Sequence, residues 1–281
     1  MERYTPHQTR YFAEQIMLTR PQSSIDGLAS AMSGVKVDLN PHQVDAALFA
    51  LKSPLSSGVL LADEVGLGKT IEAGLALAQC WSERKRHILL IVPAALRTQW
   101  RTELDEKFYI KSYILESTNY NRAKKAGHIN PFDVKDEVVI CSYNFASRKD
   151  RDISAIQWDL VIMDEVHRLR NVYKTSNVTG KKLRHALSGR RKLLLTATPL
   201  QNNMMELFGL VSIIDEHVFG DALTFRDMYV SAENEETRNH ALKARLKQFC
   251  KRTLRQQVTE YVRYTSRIPI LREYTPTKDR E

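Results

Sequence analysis

The sequence predicts an α/β chain, a doubly wound and mostly parallel sheet with helices on both faces, and three observations carry the prediction. Five short apolar runs recur along the chain. Longer segments of helical periodicity separate them. None of the runs alternates as a strand with one wet face would. A strand that is apolar throughout is buried on both faces, as a parallel sheet between two helix layers requires.

The elements follow in order. The chain before the first run reads as mostly helical to about residue 52. Val59-Leu60-Leu61 is the first strand, followed by a helix over 71–86. Ile88-Leu89-Leu90-Ile91-Val92 is the second, followed by a helix over 94–108. Val138-Val139-Ile140, Leu160-Val161-Ile162-Met163 and Leu193-Leu194-Leu195 complete the set, with a crossover helix at 181–187 before the last. Past Leu200 the character changes: 204–214 is apolar and helical, and 241–262 reads as a basic amphipathic helix. Residues 266–281 contain Pro269 and Pro276 and show no clear helix or core strand.

Of the 281 residues 43% are hydrophobic, ample for one sizeable core. Lys and Arg number 42 against 33 Asp and Glu, a net charge of +9. That excess suits a polyanion, whose condensed counterions are released on binding, and suits equally a basic surface kept for solubility. Cys80, Cys141 and Cys250 show neither metal-ligand spacing nor a disulfide framework, which points to a reducing cytoplasm. The first residues lack the apolar core of a signal peptide and no apolar run reaches spanning length. A soluble, cytoplasmic protein with no membrane partner is expected.

Three blocks carry chemistry. Asp63-Glu64-Val65-Gly66-Leu67-Gly68-Lys69-Thr70 lies between the first strand and its helix. There glycines let backbone N–H groups wrap phosphates and the helix N-terminus adds positive partial charge. Lys69 would reach the β- and γ-phosphates of ATP and the Thr70 hydroxyl would ligate Mg2+. Asp63 stands where the general pattern has its first glycine. A flexible turn with a solvated lysine is the plainer alternative.

The second block is Trp158-Asp159-Leu160-Val161-Ile162-Met163-Asp164-Glu165-Val166-His167. Burial of its apolar run delivers Asp164 to the carboxyl edge of the sheet, where ligands of open α/β folds collect. Asp164 would hold magnesium, and Glu165 would orient and deprotonate a water. Such a pair also occurs in solvated turns. His167 is either a switch group between nucleotide and nucleic-acid sites or a polar residue of the turn. The third block, Leu195-Thr196-Ala197-Thr198-Pro199, puts Thr196 and Thr198 where they could hydrogen-bond the acidic pair, though Pro199 alone would stop a strand there.

In this order the blocks resemble motifs I, II and III of helicase superfamily two, and specifically its Swi/Snf-like ATPases, through Thr196-Ala197-Thr198-Pro199-Leu200-Gln201-Asn202-Asn203. Leu39-Asn40-Pro41-His42-Gln43 is similar to the upstream motif whose glutamine reads adenine, so the resemblance makes Gln43 the adenine contact. Thr70-Ile71-Glu72-Ala73-Gly74 further resembles the bacterial, RapA-like branch, which includes the RNA-polymerase-recycling ATPase and phage-defence translocases. The likeness covers 35–215 well, and Lys251-Arg252-Thr253-Leu254-Arg255 more loosely, as the basic stretch joining two motor lobes.

The resemblance implies a three-layer RecA-like P-loop domain with helical N-terminal and C-terminal extensions. Residues 1–35 would be a helical preamble, 36–215 the ATP-binding lobe, 216–265 a helical basic extension, and 266–281 the start of a linker to a second RecA-like lobe. It also implies duplex DNA, with RNA not excluded, gripped along its backbone by motif Ia (Gln99), motif Ib (Ser142, Tyr143) and the tail of motif III (Asn202, Asn203). Trp100 reads as a core aromatic, and Arg97 and Arg101 as solvated. The second lobe would bring arginines to the γ-phosphate, and an arginine finger is worth about three to five orders of magnitude in rate. The expected function is therefore one lobe of a DNA-dependent ATPase, a duplex translocase nearly inactive alone. A strand-separating helicase, a restriction-type motor subunit and a non-catalytic ATP-binding scaffold are the alternatives.

Overall fold

The computed structural model describes residues 35–51, 57–199, 203–231 and 235–258. Its elements are α1 (Pro41–Leu51), β1 (Gly58–Leu61), α2 (Lys69–Ser82), β2 (Ile88–Val92), α3 (Arg97–Phe108), β3 (Ser112–Ile114) and α4 (Ser117–Lys125). Then follow β4 (Val138–Ser142), α5 (Tyr143–Arg148), α6 (Asp150–Ser154), β5 (Leu160–Met163), α7 (Val178–Ala186) and β6 (Lys192–Leu195). Last come α8 (Met204–Ile214), α9 (Ala222–Tyr229), α10 (Glu235–Leu246) and β7 (Cys250–Lys251), with 3-10 turns at Ala94–Leu96, Val166–Leu169 and Arg255–Val258.

The strands form one sheet in the order β3-β4-β2-β5-β6-β1-β7, and every pairing is parallel. Successive side chains of a strand point to opposite faces, and here both faces are covered. Val59 and Leu61 of β1 join Leu90, Ile140 and Ile162 in a core under α1, α2 and α3. Leu60 joins Leu89, Ile91, Val161 and Met163 in a second core on the other face. Burying each such side chain contributes about 1.5–3 kcal/mol, which is why the runs are apolar without alternation. The architecture is the three-layer RecA-like α/β fold expected. Helix α8 carries a third, aromatic cluster, in which Phe208 and Phe219 flank Phe225 at 5.1 and 4.9 Å. Among the described residues no helix is long and apolar enough to cross a membrane.

All five apolar runs fall within strands. Two further strands escape them. β3 is a half-buried edge of three residues. β7 lies inside the segment expected as the helix 241–262, which instead ends at Leu246. The sheet explains the correction. Without a neighbour, β1 would present unpaired N–H groups along a buried edge. Leu60 and Ala62 donate theirs to Phe249 O and Lys251 O at 2.7 and 2.8 Å. Satisfying buried amides outweighs the helix propensity of the segment. The preamble before residue 35, Leu200, Gln201 and Asn202, and the expected linker at 266–281 lie outside the described residues.

Candidate active site

The glycine-bearing loop leaves β1 and returns as α2. Gly66 and Gly68 have φ of 86° and 92°, the left-handed region that glycine enters freely. A Cβ on Gly68 would lie 2.4 Å from Gln43 Nε2. Gly68 is also the N-cap of α2 and gives it no side-chain cap, so the positive end of the helix is open to an anion. Lys69 spans the loop, its Nζ donating to Asp63 O at 2.8 Å and Glu64 O at 3.3 Å. Thr70 follows in the first turn, half-buried.

Pro41 starts α1 at the position where proline's missing N–H costs nothing. That helix lays Gln43 against the loop. Gln43 Nε2 donates to Leu67 O at 3.0 Å, its Oε1 accepts Asn40 N–H at 3.1 Å, and His42 Nε2 lies 2.9 Å from Leu67 O. Gln43 is therefore a neighbour of the glycine turn, with both ends of its amide engaged by protein.

At the end of β5 Asp164 is almost buried, and each of its oxygens has a donor. Oδ1 accepts Glu165 N–H at 2.8 Å, Oδ2 accepts the Trp100 indole at 2.8 Å, and the carbonyl accepts Tyr143 Oη–H at 2.6 Å. Burial pushes the Asp164 carboxyl above its ordinary range, while the Trp100 hydrogen bond and the Lys69 charge pull it back. Glu165 stands at φ 51°, where a residue with a Cβ is strained by about 1–2 kcal/mol. Its Oε2 lies 2.9 Å from His167 Nδ1, and since a carboxylate only accepts, Nδ1 carries the proton. The same nitrogen is 3.5 Å from Thr196 Oγ1, which in turn accepts Thr198 N–H at 3.2 Å.

The sheet order brings these groups together. β6 lies between β1 and β5, with Leu61 level with Leu195 and Met163 level with Leu194. Two strand spacings separate the loop from the acidic pair, roughly 10 Å. Lys69, Thr70, Asp164, Glu165, His167 and Thr196 thus meet at one sheet edge, and the Lys69 charge is felt at Asp164.

Side-chain contacts that no motif encodes complete the site. Asp63 is fully buried and its Oδ1 accepts Thr253 N–H at 2.7 Å, so it anchors the loop to the segment after β7. Beneath it Glu72 is fully buried, and neither its oxygens nor Asp63 Oδ2 meet a donor among the described residues. Burial, and then the Asp63 charge, hold the Glu72 carboxyl protonated, up at about 9, so its own proton is the donor between the two acids. Trp100 is a core aromatic, 2% exposed, as expected. Its indole N–H on Asp164 comes from 64 residues away, a pairing no local pattern encodes.

The residues expected at a nucleic acid are spread over three places. Gln99 is exposed on α3, with its amide on Glu103 at 2.9 Å. Ser142 caps α5, accepting Phe145 N–H at 3.4 Å, and Asn203 caps α8, accepting Glu206 N–H at 3.2 Å. Tyr143 points inward, in the core and bonded to Asp164 O. Arg97, expected in solvent, is held by Glu116 at 3.0 Å.

A parallel α/β sheet with a glycine turn after β1 and a carboxylate pair after β5 defines a RecA-like P-loop lobe. The SNF2-related domain family matches residues 22–273, and the chain belongs to that family. Two solved structures from Sulfolobus solfataricus share the fold. One is a SWI2/SNF2 ATPase core in complex with dsDNA, with a TM-score of 0.65, 21% identity, and coverage of 79% of this chain and 45% of that one. The other is a SWI2/SNF2 ATPase core domain, with a TM-score of 0.64, 18% identity, and coverage of 82% and 46%. This chain therefore spans under half the length of either core.

Proposed function

We propose that this chain is the ATP-binding first motor lobe of a DNA-dependent ATPase that translocates on duplex DNA. The reading is supported above all by the convergence of Lys69, Asp164 and Glu165 on one sheet edge, with His167 bridging Glu165 toward Thr196. Family membership and the DNA-bound archaeal core of the same fold support the substrate class.

In this reading the amides at Gly66, Gly68 and the start of α2 cradle the phosphates, and the Lys69 ammonium leaves the Asp63 carbonyl for developing phosphoryl charge. Glu165 accepts the proton of the attacking water at the oxygen turned from His167. Among the described residues no three His, Cys, Asp or Glu side chains form a metal cage. Magnesium ordinarily takes one or two protein oxygens beside phosphates and waters, and the Thr70 hydroxyl and Asp164 carboxylate suit that need. When bound it supplies neutralising charge to the triphosphate. The His167–Thr196 contact links the water-activating carboxylate to the strand that leads toward Asn203, and so to the DNA side.

We further infer that a second RecA-like lobe completes the site with arginines, and that the chain by itself binds ATP weakly and turns it over slowly. Thr70-Ile71-Glu72-Ala73-Gly74 supports the bacterial, RapA-like branch, and with it a cytoplasmic setting. Turnover measured on the chain with duplex DNA, duplex RNA and no nucleic acid tests these points. Slow turnover throughout is expected. Robust DNA-stimulated turnover would overturn the need for a second lobe, and absence of any ATP binding would overturn the motor reading.

A further inference from the structure

The segment 249–255 runs beside β1 and then beside the glycine turn. Leu60, Ala62 and Glu64 donate N–H groups to the carbonyls of Phe249, Lys251 and Thr253 at 2.7, 2.8 and 3.2 Å. Thr253 and Arg255 return theirs to Asp63 Oδ1 at 2.7 Å and Glu64 Oε2 at 2.9 Å. The run ends with the Arg255 guanidinium on the loop itself, Nε 3.0 Å and Nη2 2.5 Å from Val65 O. Val65 is 65% exposed, and no other described residue bonds that carbonyl.

The Val65–Gly66 peptide is trans, and a trans plane points its C=O and N–H to opposite sides. Drawing the Val65 carbonyl to Arg255 therefore turns the Gly66 N–H the other way. That N–H donates to no described residue. A Cβ on Gly66 would lie 3.2 Å from Arg255 Nη2, so the residue that opens the turn also admits the guanidinium. Two donors on one carbonyl need the arginine fork, which a lysine cannot offer.

We propose that Arg255 is a positioning residue of the nucleotide site: by holding the Val65 carbonyl it aims the Gly66 N–H at the phosphates, and it ties the shape of the turn to the docking of 249–255. This rests on the ATP-binding reading above. Because 249–255 is hydrogen-bonded to both β1 and the turn, displacing that segment loosens the phosphate cradle.

The test compares the full chain with Arg255→Ala and Arg255→Lys, titrating each with fluorescent ATP and ADP analogues and recording its melting temperature. Arg255→Ala weakens ATP and ADP alike, by roughly three- to tenfold, the size of one ordinary hydrogen bond. Arg255→Lys falls between, and melting is unchanged. Equal affinities in all three proteins overturn the proposal. So does weakening of ATP alone, which would mark a direct γ-phosphate contact, and so does an affinity loss that tracks a fall in melting temperature. If the unaltered chain binds neither analogue, the ATP reading falls first and this one with it.

Discussion

The Trp100 indole donates to Asp164 Oδ2 at 2.8 Å, joining α3 to the end of β5. It lowers the Asp164 carboxyl against the burial that raises it. Trp100→Phe keeps a buried ring and removes only the donor. The carboxylate then loses a charged hydrogen bond, about 1.5–3 kcal/mol in a buried setting. The acidic limb of the pH–rate curve of the complete motor should move to higher pH, and half-saturating magnesium should rise. Unchanged magnesium dependence would show that the indole merely fills space.

The buried acid pair under the loop makes stability depend on pH. Glu72 is raised from 4.5 to about 9, so between those values the folded chain keeps a proton the unfolded chain has released. Stability from this group is complete below about 4.5 and is lost as pH climbs to about 9. Glu72→Gln is neutral at every pH and keeps a donor toward Asp63. Melting curves from pH 5 to 9 should slope downward for the native chain and be flatter for the variant.

Glu165→Gln leaves the size and packing of the side chain and removes the carboxylate proposed as the base. Turnover in the complete motor should drop about 10²–10⁴-fold with ATP affinity retained. Rapid-quench measurement of a single turnover separates this from slowed product release.

Gly209 on α8 faces the turn that carries His167. A Cβ there would sit 1.9 Å from the carbonyl oxygen of Arg170, a residue whose backbone N–H is bound to His167 O. Gly209→Ala must push α8 off the turn, at about 1–3 kcal/mol by the usual cost of overpacking. Urea unfolding measures it, and catalysis should suffer as well because the Glu165–His167 contact shares that turn.

Much of the sheet was legible because burial on both faces leaves one kind of sequence, as in Ile88-Leu89-Leu90-Ile91-Val92. The placement of Lys69, Asp164 and Glu165 at one sheet edge was legible because strand ends and a glycine turn fix them locally. β3 and β7 were not, since a three-residue edge and a two-residue pairing carry too little apolar surface to write a pattern. Trp100, Glu72 and Arg255 were not either. Their partners lie 64 residues away, beneath a loop, or on a loop carbonyl 190 residues away. Asp63 reads in the sequence as one more residue of the phosphate loop, whereas the fold uses its side chain to anchor Thr253.

The left-handed backbone at Glu165 has an evolutionary consequence. Asn tolerates that conformation better than Glu, and Gly adopts it freely. Either would relax the turn while removing the carboxylate proposed as the base. A selection for heat tolerance, applied without a demand for activity, should therefore enrich silent enzymes altered at this position.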